Sequence, residues 1–326
     1  MKHRRLAAVL TACTTLAFAA GFAGTHPASA ADKPITVAVG VDPSFAPFFV
    51  AQAKGLFKKH GLDVDIQQYA NAGEAADALV ARSADVAGVP AFNLLIRAPR
   101  APLNAIGVFA EGKGDYVKVA AAPGITNPDQ IKRIGVVPGT FSQYAADRFI
   151  QAFHLDAAKI SIVRAGPPEM PELLHQGRID AFILWNPWPA RAEALGAKIL
   201  MPIGQFHLHF LTTVTVRQAW LQDHREQARK LLAALSEATT MVNADPEMTA
   251  AVTKKAAQIP EAFTKQAVEQ IDFRVRELDA KDRTNFENML DFLQRQKILQ
   301  AKPSLDALIV HGLVPNATNA TPAGDH

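Results

Sequence analysis

The chain has 326 residues, a formal net charge of +3 and a single cysteine, with 20% charged and 49% hydrophobic side chains. This composition is ordinary for a globular protein and excludes a mostly disordered or fibrous chain. The length suits about two domains of roughly 150 residues each. The small excess of positive charge raises the question of whether the protein binds nucleic acid or a membrane surface.

The first 30 residues have the layout of a secretory signal peptide. A start with three basic side chains precedes a charge-free run from Leu6 to Ala23, and Ala28-Ser29-Ala30 is a small-residue cleavage site. The pattern predicts export with cleavage near Ala30, and hence a periplasmic protein. An uncleaved membrane anchor is the alternative, because the apolar run is just long enough to span a bilayer.

Cleavage would also change the charge and the cysteine count. It removes three of the 34 basic side chains and none of the 31 acidic ones, so the mature chain would have equal numbers of both. A neutral mature chain gives no electrostatic basis for nucleic-acid binding. Cys13 follows Leu10-Thr11-Ala12, which resembles a lipobox, so lipidation of Cys13 is an alternative to simple cleavage. Without Cys13, the mature chain has no thiolate for a disulfide, a nucleophile or a metal site.

Alternating strand and helix patterns begin at residue 35 and continue to residue 201. Alternating apolar residues predict strands at 35–41 and 62–66, and further strands are predicted at 85–89, 103–109, 117–122, 134–137, 160–163, 181–185 and 198–201. Helices are predicted from Pro47 and Pro90, and at 73–82, 142–153, 168–176 and 187–195. Successive β-α units indicate parallel sheets with helices on both faces, so the predicted fold class is α/β.

The last third of the chain has a different pattern. A strand is predicted at 208–216, followed by helices at 219–243, 246–257, 261–275 and 279–298. The polar residues 316–326 are predicted to form a disordered tail.

Three predicted strands end in small or glycine-containing turns that lead directly into helices. In open α/β sheets ligands bind at the carboxyl ends of strands, and a helix N-terminus there favours an anion. Simple N-capping of the helices is the alternative reading of each turn. The candidate ligand-binding residues in these turns are Ser44, Phe45, Val89, Pro90, Ala91, Gly139, Thr140, Phe141 and Ser142. The turn at 139–142 is predicted to contact an acidic group of the ligand.

Two of the three tryptophans stand at the end of one strand. In Trp185-Asn186-Pro187-Trp188 the two indoles could wall a cleft or pack in a core. Trp185, Asn186 and Trp188 are therefore further candidate ligand-binding residues.

The sequence offers no convincing catalytic or metal-binding set. His207-x-His209 alternates at the start of a predicted strand, so both side chains would share a face, but no acidic or cysteine partner stands nearby to complete a metal site. Nucleophile-elbow, phosphate-loop, zinc-protease and dinucleotide motifs do not occur. We therefore expect a non-enzyme with no catalytic residue, no bound metal and no cofactor.

Several stretches of the sequence resemble a known protein family. The stretch from Ile35 to Val64, which includes Ala46-Pro-Phe-Phe-Val-Ala-Gln-Ala-Lys-Gly-Leu-Phe, resembles the nitrate/sulfonate/taurine-type solute-binding proteins of ABC importers. The segment from Ala72 to Ala87, the turn at 138–142 and the stretch from Gly177 to Trp188 carry the same resemblance, which covers about residues 35–221.

The resemblance implies a type II periplasmic-binding fold, in which two α/β lobes flank a ligand cleft. It places a first part of lobe 1 at 31–115, lobe 2 at 116–206 and the return of lobe 1 at 207–315. It implies capture of a small solute by hinge closure, and delivery by a monomer to a membrane permease and its ATPase. The aromatic candidates favour a small organic anion, such as a sulfonate, a carboxylate or a nitrate- or taurine-like compound. An enzyme on the same fold, such as a pyrimidine-precursor synthase, and a sensory ligand-binding module stay as alternatives.

Overall fold

The structure is a computed structural model that describes residues 33–315. The predicted signal peptide, Cys13 and the predicted tail thus lie outside the described residues. The strands are β1 Ile35–Gly40, β2 Val64–Tyr69, β3 Val86–Pro90, β4 Leu103–Gly112, β5 Val117–Ala121, β6 Arg133–Val136, β7 Ser161–Arg164, β8 Ala181–Trp185, β9 Lys198–Pro202, β10 Leu211–Arg217 and β11 Ile271–Arg276.

The helices cover the edges and faces of these strands. They are α1 Ala46–Ala53, α2 Leu56–Lys59, α3 Ala72–Val80, α4 Ala91–Arg97, α5 Phe141–Ala152, α6 Met170–His175, α7 Trp188–Ala194, α8 Gln218–Asp223, α9 Arg225–Ala244, α10 Pro246–Ala257, α11 Glu261–Gln270, α12 Ala280–Arg295 and α13 Leu305–Leu308. None of the helices within 33–315 is long and apolar enough to span a membrane.

The strands form two sheets. The first has the order β11-β4-β10-β3-β1-β2 and the second the order β7-β6-β8-β5-β9. In each sheet three neighbouring strands run parallel, β2-β1-β3 in the first and β7-β6-β8 in the second. β10 and β5 are inserted antiparallel to β3 and β8 respectively. The prediction of parallel sheets is therefore wrong for these added strands, because hydrophobic periodicity carries no information on strand direction.

The chain passes between the sheets twice. Residues 113–116 connect β4 to β5, and residues 203–210 connect β9 to β10. The two connections touch, because the Gly204 N–H donates to the Gly114 carbonyl at 2.7 Å. A Cβ on Gly204 would lie 3.0 Å from the Gly114 Cα, so a side chain there would press on backbone. The predicted lobe boundaries fall within these connections and stay a prediction.

Three predicted elements differ from the structure, of which the helix predicted at 219–243 is divided at His224 into α8 and α9. The helix predicted at 261–275 ends at Gln270 and continues as β11, whose Ile271, Phe273 and Val275 are buried on one face. Pairing with β4 satisfies the backbone of this segment and buries one of its faces, so these tertiary contacts override its helical periodicity. The strand predicted at 208–216 begins only at Leu211, so His207 and His209 do not lie on a strand.

Side-chain caps fix where several helices begin. The Asn71 side chain accepts from the Glu74 N–H at 3.1 Å and starts α3, and Asp245 does the same for Met248 at 2.9 Å in α10. Thr140 caps α5, at the turn predicted to bind the ligand. Each cap satisfies an amide that the helix itself leaves unpaired and contributes about 1 kcal/mol.

The core of the first sheet lies under the same turns. Val37 and Val39 of β1 are fully buried, and Phe48 of α1 meets Phe109 of β4 edge to face with 5.1 Å between ring centroids. Burying such side chains contributes about 1.5–3 kcal/mol each. This packing holds the carboxyl end of β1 and the start of α1 in a fixed position.

Candidate functional site

A cavity of about 550 Å³ lies where the carboxyl ends of strands from both sheets face each other. It is reached by the segments that follow β1, β3 and β8, and by the turn that opens α5. This is the location at which open α/β sheets bind ligands.

The cavity brings together eight of the twelve predicted ligand-binding residues. Its lining includes Ser44, Phe45, Pro90, Thr140, Phe141, Trp185, Asn186 and Trp188. The first and the last of these residues, Ser44 and Trp188, are 144 positions apart in the sequence. Whether they bind a ligand stays a prediction.

The other four predicted residues do not line the cavity. Val89 and Ala91 are 0% and 1% exposed because their side chains pack into the core beneath the turn. Ser142 is buried, and its Oγ faces back to the Val137 N–H at 3.4 Å. The Gly139 N–H donates to Oε1 of Gln143 at 3.2 Å.

The hydroxyl of Thr140 is also occupied within the turn. Thr140 Oγ1 donates to the Val137 carbonyl at 2.9 Å and accepts from the Ser142 N–H at 3.3 Å. The amides of Thr140 and Phe141 make no hydrogen bond within residues 33–315. The donors that this turn can offer are therefore two backbone amides at the N-terminus of α5, rather than the two hydroxyls that the sequence suggested.

Aromatic side chains form much of the cavity wall. Phe141 meets Phe210 edge to face at 5.5 Å, and Phe210 also packs at 5.5 Å against Tyr116. The remaining aromatic lining residues are Phe45, Trp185, Trp188 and Phe263. Prolines at 43, 90, 167, 168, 187 and 260 add apolar surface without an N–H. Such a wall suits a small organic body better than a bare inorganic ion.

One acidic side chain in the lining, Asp42, was not singled out from the sequence. Its Oδ1 accepts from the Tyr116 hydroxyl and from the Ser44 N–H, both at 2.7 Å. Burial raises the pKa of the Asp42 carboxyl, and the hydrogen bonds from Ser44 and Tyr116 only partly oppose this. Asp42 directly follows the predicted strand, and this position was the available signal.

One basic side chain in the lining, Arg191, was also missed. Its guanidinium carbon lies 4.9 Å from the ring centroid of Trp188, in a cation–π arrangement. Arg191 forms no ion pair with an acidic residue of the described chain. Its place three residues after Trp188, one turn along α7, could have been read from the sequence.

The histidine pair lies elsewhere. His207 and His209 line a separate, smaller cavity of about 290 Å³ beside Lys281 and Glu111. Burial and the charge of Lys281 lower the pKa of His209. Between residues 33 and 315 no group of three or more His, Cys, Asp or Glu side chains is placed to hold a metal ion.

The sequence matches one protein family. The model of the NMT1/THI5-like family matches residues 42–249, which is more than half of the chain. The chain therefore belongs to the NMT1/THI5-like family.

Characterised relatives include both transport components and enzymes. A nitrate import ATP-binding protein of Synechocystis, NrtC, is 28% identical over 217 residues, which are 59% of this chain and 32% of NrtC. A 4-amino-5-hydroxymethyl-2-methylpyrimidine phosphate synthase of Saccharomyces cerevisiae is 26% identical over 223 residues, 63% of this chain and 65% of that enzyme. The chain thus matches about a third of the first relative's length and about two thirds of the second's.

The fold is that of the periplasmic binding proteins. The periplasmic aliphatic sulphonate binding protein SsuA of Escherichia coli superposes with a TM-score of 0.76 at 16% identity, over 87% of this chain and 94% of that one. The predicted fold class is thereby confirmed.

Proposed function

We propose that the protein is the solute-binding component of an ABC importer. In this proposal the chain is exported, cleaved near Ala30 and works in the periplasm as a monomer. It captures a small organic solute with an acidic group and hands it to a membrane permease and its ATPase. The cavity between the two sheets carries the proposal, because it joins an apolar wall to a small set of polar groups.

The acidic group of the solute has two sources of attraction in the cavity. The free amides of Thr140 and Phe141 open α5, a helix of 12 residues whose positive end points at this turn. The guanidinium of Arg191 in α7, which also lines the cavity, supplies a full positive charge. A carboxylate or sulfonate satisfies both kinds of donor, and the aromatic wall covers its organic part.

Capture by closure is supported by contacts that join the two halves of the fold. The Asn186 side chain, at the end of β8, donates to the Gln266 side chain of α11 beside the cavity. Arg295 of α12 pairs with Asp147 of α5 at 3.1 Å. A ligand that touches both halves stabilises such contacts, and shifts the population towards the closed form by its differential affinity.

A binding assay tests this function. Thermal-shift screening with nitrate, sulfonates, carboxylates and phosphonates, followed by calorimetry on the hits, should give one solute bound per chain. Arg191→Gln should weaken binding of an acidic solute about tenfold, because it removes a charged hydrogen-bond donor. Arg178→Gln is the matched control, since Arg178 is exposed and outside the cavity. Strongest binding by an uncharged solute, or unchanged affinity of Arg191→Gln, would overturn the acidic-solute proposal.

An enzyme is the second candidate function, favoured by the synthase relative and by the hydrogen bond from Tyr116 to Asp42, which lines the cavity. The two functions predict different fates for the bound compound. A binding protein releases it unchanged, whereas an enzyme converts it. Mass spectrometry of a hit after prolonged incubation with the protein separates them, since a new mass that grows with protein concentration would establish turnover.

A further inference from the structure

The acidic residue Asp42 stands out in a cavity proposed to bind an acidic solute. It is the one carboxylate among the lining residues in the described part of the chain. A carboxylate at that place would repel a solute that carried negative charge alone. Its presence calls for a group on the solute that it can attract.

The hydrogen bonds of Asp42 leave one oxygen for such a group. Oδ1 already accepts from Tyr116 and Ser44, both at 2.7 Å. Oδ2 accepts no hydrogen bond within residues 33–315, and no Lys, Arg or His of those residues forms an ion pair with it. This half-buried carboxylate has gained no cation from the described chain, so a donor group of a ligand at Oδ2 would stabilise its ionised form.

A second acceptor lies beside it. Ser44 lines the cavity, is 1% exposed, and its Oγ has no hydrogen-bond partner among the described residues. Unpaired buried polar atoms are rare in folded proteins, and each costs about 1–3 kcal/mol. The unpaired Ser44 Oγ and the Asp42 Oδ2, which has no partner in the described chain, lie two residues apart in the sequence and mark a polar patch in the cavity wall.

We propose that Asp42 Oδ2 and Ser44 Oγ form a subsite for an N–H donor group of the solute. The inference rests on the proposed function and deepens it. The acidic end of the solute meets Arg191 and the amides of the α5 turn, and an amine or amino-substituted ring at its other end meets Asp42. The solute class is then an amino-bearing organic acid with an apolar or aromatic body, which matches the one acidic and one basic group of the cavity lining.

Size-matched probe pairs test the subsite. 4-Aminobenzoate and 4-methylbenzoate differ only in an NH₂ and a CH₃ group of similar volume, and 4-(aminomethyl)benzoate and 4-ethylbenzoate form a second pair. Calorimetry at pH 7.5 should show the amino member of at least one pair bound about tenfold more tightly. Asp42→Asn keeps the size and the acceptor for Tyr116, and should reduce that preference to about twofold. The exposed Asp65→Asn, outside the cavity, should keep it.

Each outcome decides the inference. Equal or tighter binding of the methyl and ethyl probes to the wild type overturns the subsite while the proposed function stands. Retention of the amino preference by Asp42→Asn, with its fold checked by circular dichroism, also overturns it. If none of the four probes binds but the broad screen finds a solute, the solute class is wrong and the proposed function survives. If the broad screen finds no solute, both fall together.

Discussion

The hydroxyl of Tyr116 donates a hydrogen bond of 2.7 Å to Oδ1 of Asp42. Tyr116 lies in the connection from β4 to β5, whereas Asp42 follows β1 and lines the cavity. Burial, together with the charge of Asp42, raises the pKa of Tyr116 well above its usual value, so the hydroxyl keeps its proton at neutral pH. A hydrogen bond thus joins the cavity lining to one of the two segments that connect the sheets.

The burial of Asp42 predicts a pH-dependent cost in stability. Because the folded-state pKa is raised, the folded protein holds this proton more tightly than the unfolded chain. Stability is therefore lost as the pH rises from the ordinary pKa of the carboxyl through its folded value. Asp42→Asn removes the ionising group, so its Tm without ligand should exceed that of the wild type at pH 7, by a few degrees or less, and the gain should shrink towards pH 4.

Thermal unfolding of both proteins between pH 4 and 8 checks this expectation. Asp65→Asn serves as the control, because Asp65 is exposed and its removal should leave the Tm difference flat. A lower Tm for Asp42→Asn throughout this range would show that the ionised carboxylate stabilises the empty cavity.

A charged cluster at the edge of the first sheet, where β11 pairs with β4, should contribute strongly to stability. Arg276 reaches Glu111 at 2.7 Å and Asp282 at 2.5 Å, and the Asp282 side chain is only 5% exposed. Burial would raise the pKa of Glu111, but the hydrogen bond and charge of Arg276 outweigh it and lower that pKa. Arg276→Met removes the buried cation from Asp282 and leaves Glu111 with Lys281 at 3.5 Å, so it should cost about 3 kcal/mol in urea unfolding at pH 7.

The pH dependence gives this second prediction its sign. The stabilisation from Glu111 is present above its ordinary pKa and is lost as the pH falls through its lowered value. The difference between wild type and Arg276→Met should therefore narrow in acid. Arg274→Met is the control, because Arg274 is 64% exposed and pairs with Asp272 at 3.4 Å, so it should cost less than about 1 kcal/mol. Equal costs for both variants would refute the role given to Arg276.

The ion pair between Asp147 and Arg295 should be weak. The two groups are 3.1 Å apart, but Arg295 is 53% exposed. Burial raises the pKa of Asp147, and Arg295 offsets this only in part. A double-mutant cycle with Asp147→Asn and Arg295→Gln should give a coupling energy of about 0.5 kcal/mol in stability. A coupling above about 2 kcal/mol would contradict this assignment.

A glycine supports the aromatic wall of the cavity. A Cβ on Gly88 of β3 would lie 2.9 Å from two ring carbons of Phe45, too close for contact. Gly88→Ala should therefore displace Phe45, cost about 1–3 kcal/mol and weaken solute binding. Gly107→Ala in β4 is the matched control, since its nearest neighbours lie at 3.4 Å. Unfolding and calorimetry on both variants check this, and wild-type affinity in Gly88→Ala would place the solute away from Phe45.

The sequence predicts the strands and helices of this fold better than it predicts their arrangement. The apolar character of β1 and β8 located both strands nearly to the residue, because a strand that is buried on both faces is apolar along most of its length. It could not give the antiparallel insertion of β5 and β10, which depends on where the chain crosses between sheets. The strand β11 was missed because it pairs with β4, which lies some 160 residues earlier in the chain; Ile271 of β11 pairs with Gly112 of β4.

The candidate site was predictable in part for a similar reason. Turns after strands can be read from the sequence, and Thr140, Phe141 and Trp188 were found in this way. Which atoms of a turn are free cannot be read, so the hydroxyls of Thr140 and Ser142 were expected to face a ligand although the turn itself uses them. Asp42 was missed because only the fold brings Tyr116 to it and places Asp42 at a cavity.

The measurement that tests the central claim most directly is tryptophan emission during a solute titration. The chain has three tryptophans, of which Trp185 and Trp188 line the cavity, whereas Trp220 stacks on His224 at 4.9 Å outside it. In Trp220→Phe all indole emission comes from the cavity wall. For a solute identified by calorimetry, we predict a saturable change in emission that gives one site per chain and the same Kd as calorimetry. Unchanged emission at saturating solute would contradict it, since the solute would then bind elsewhere.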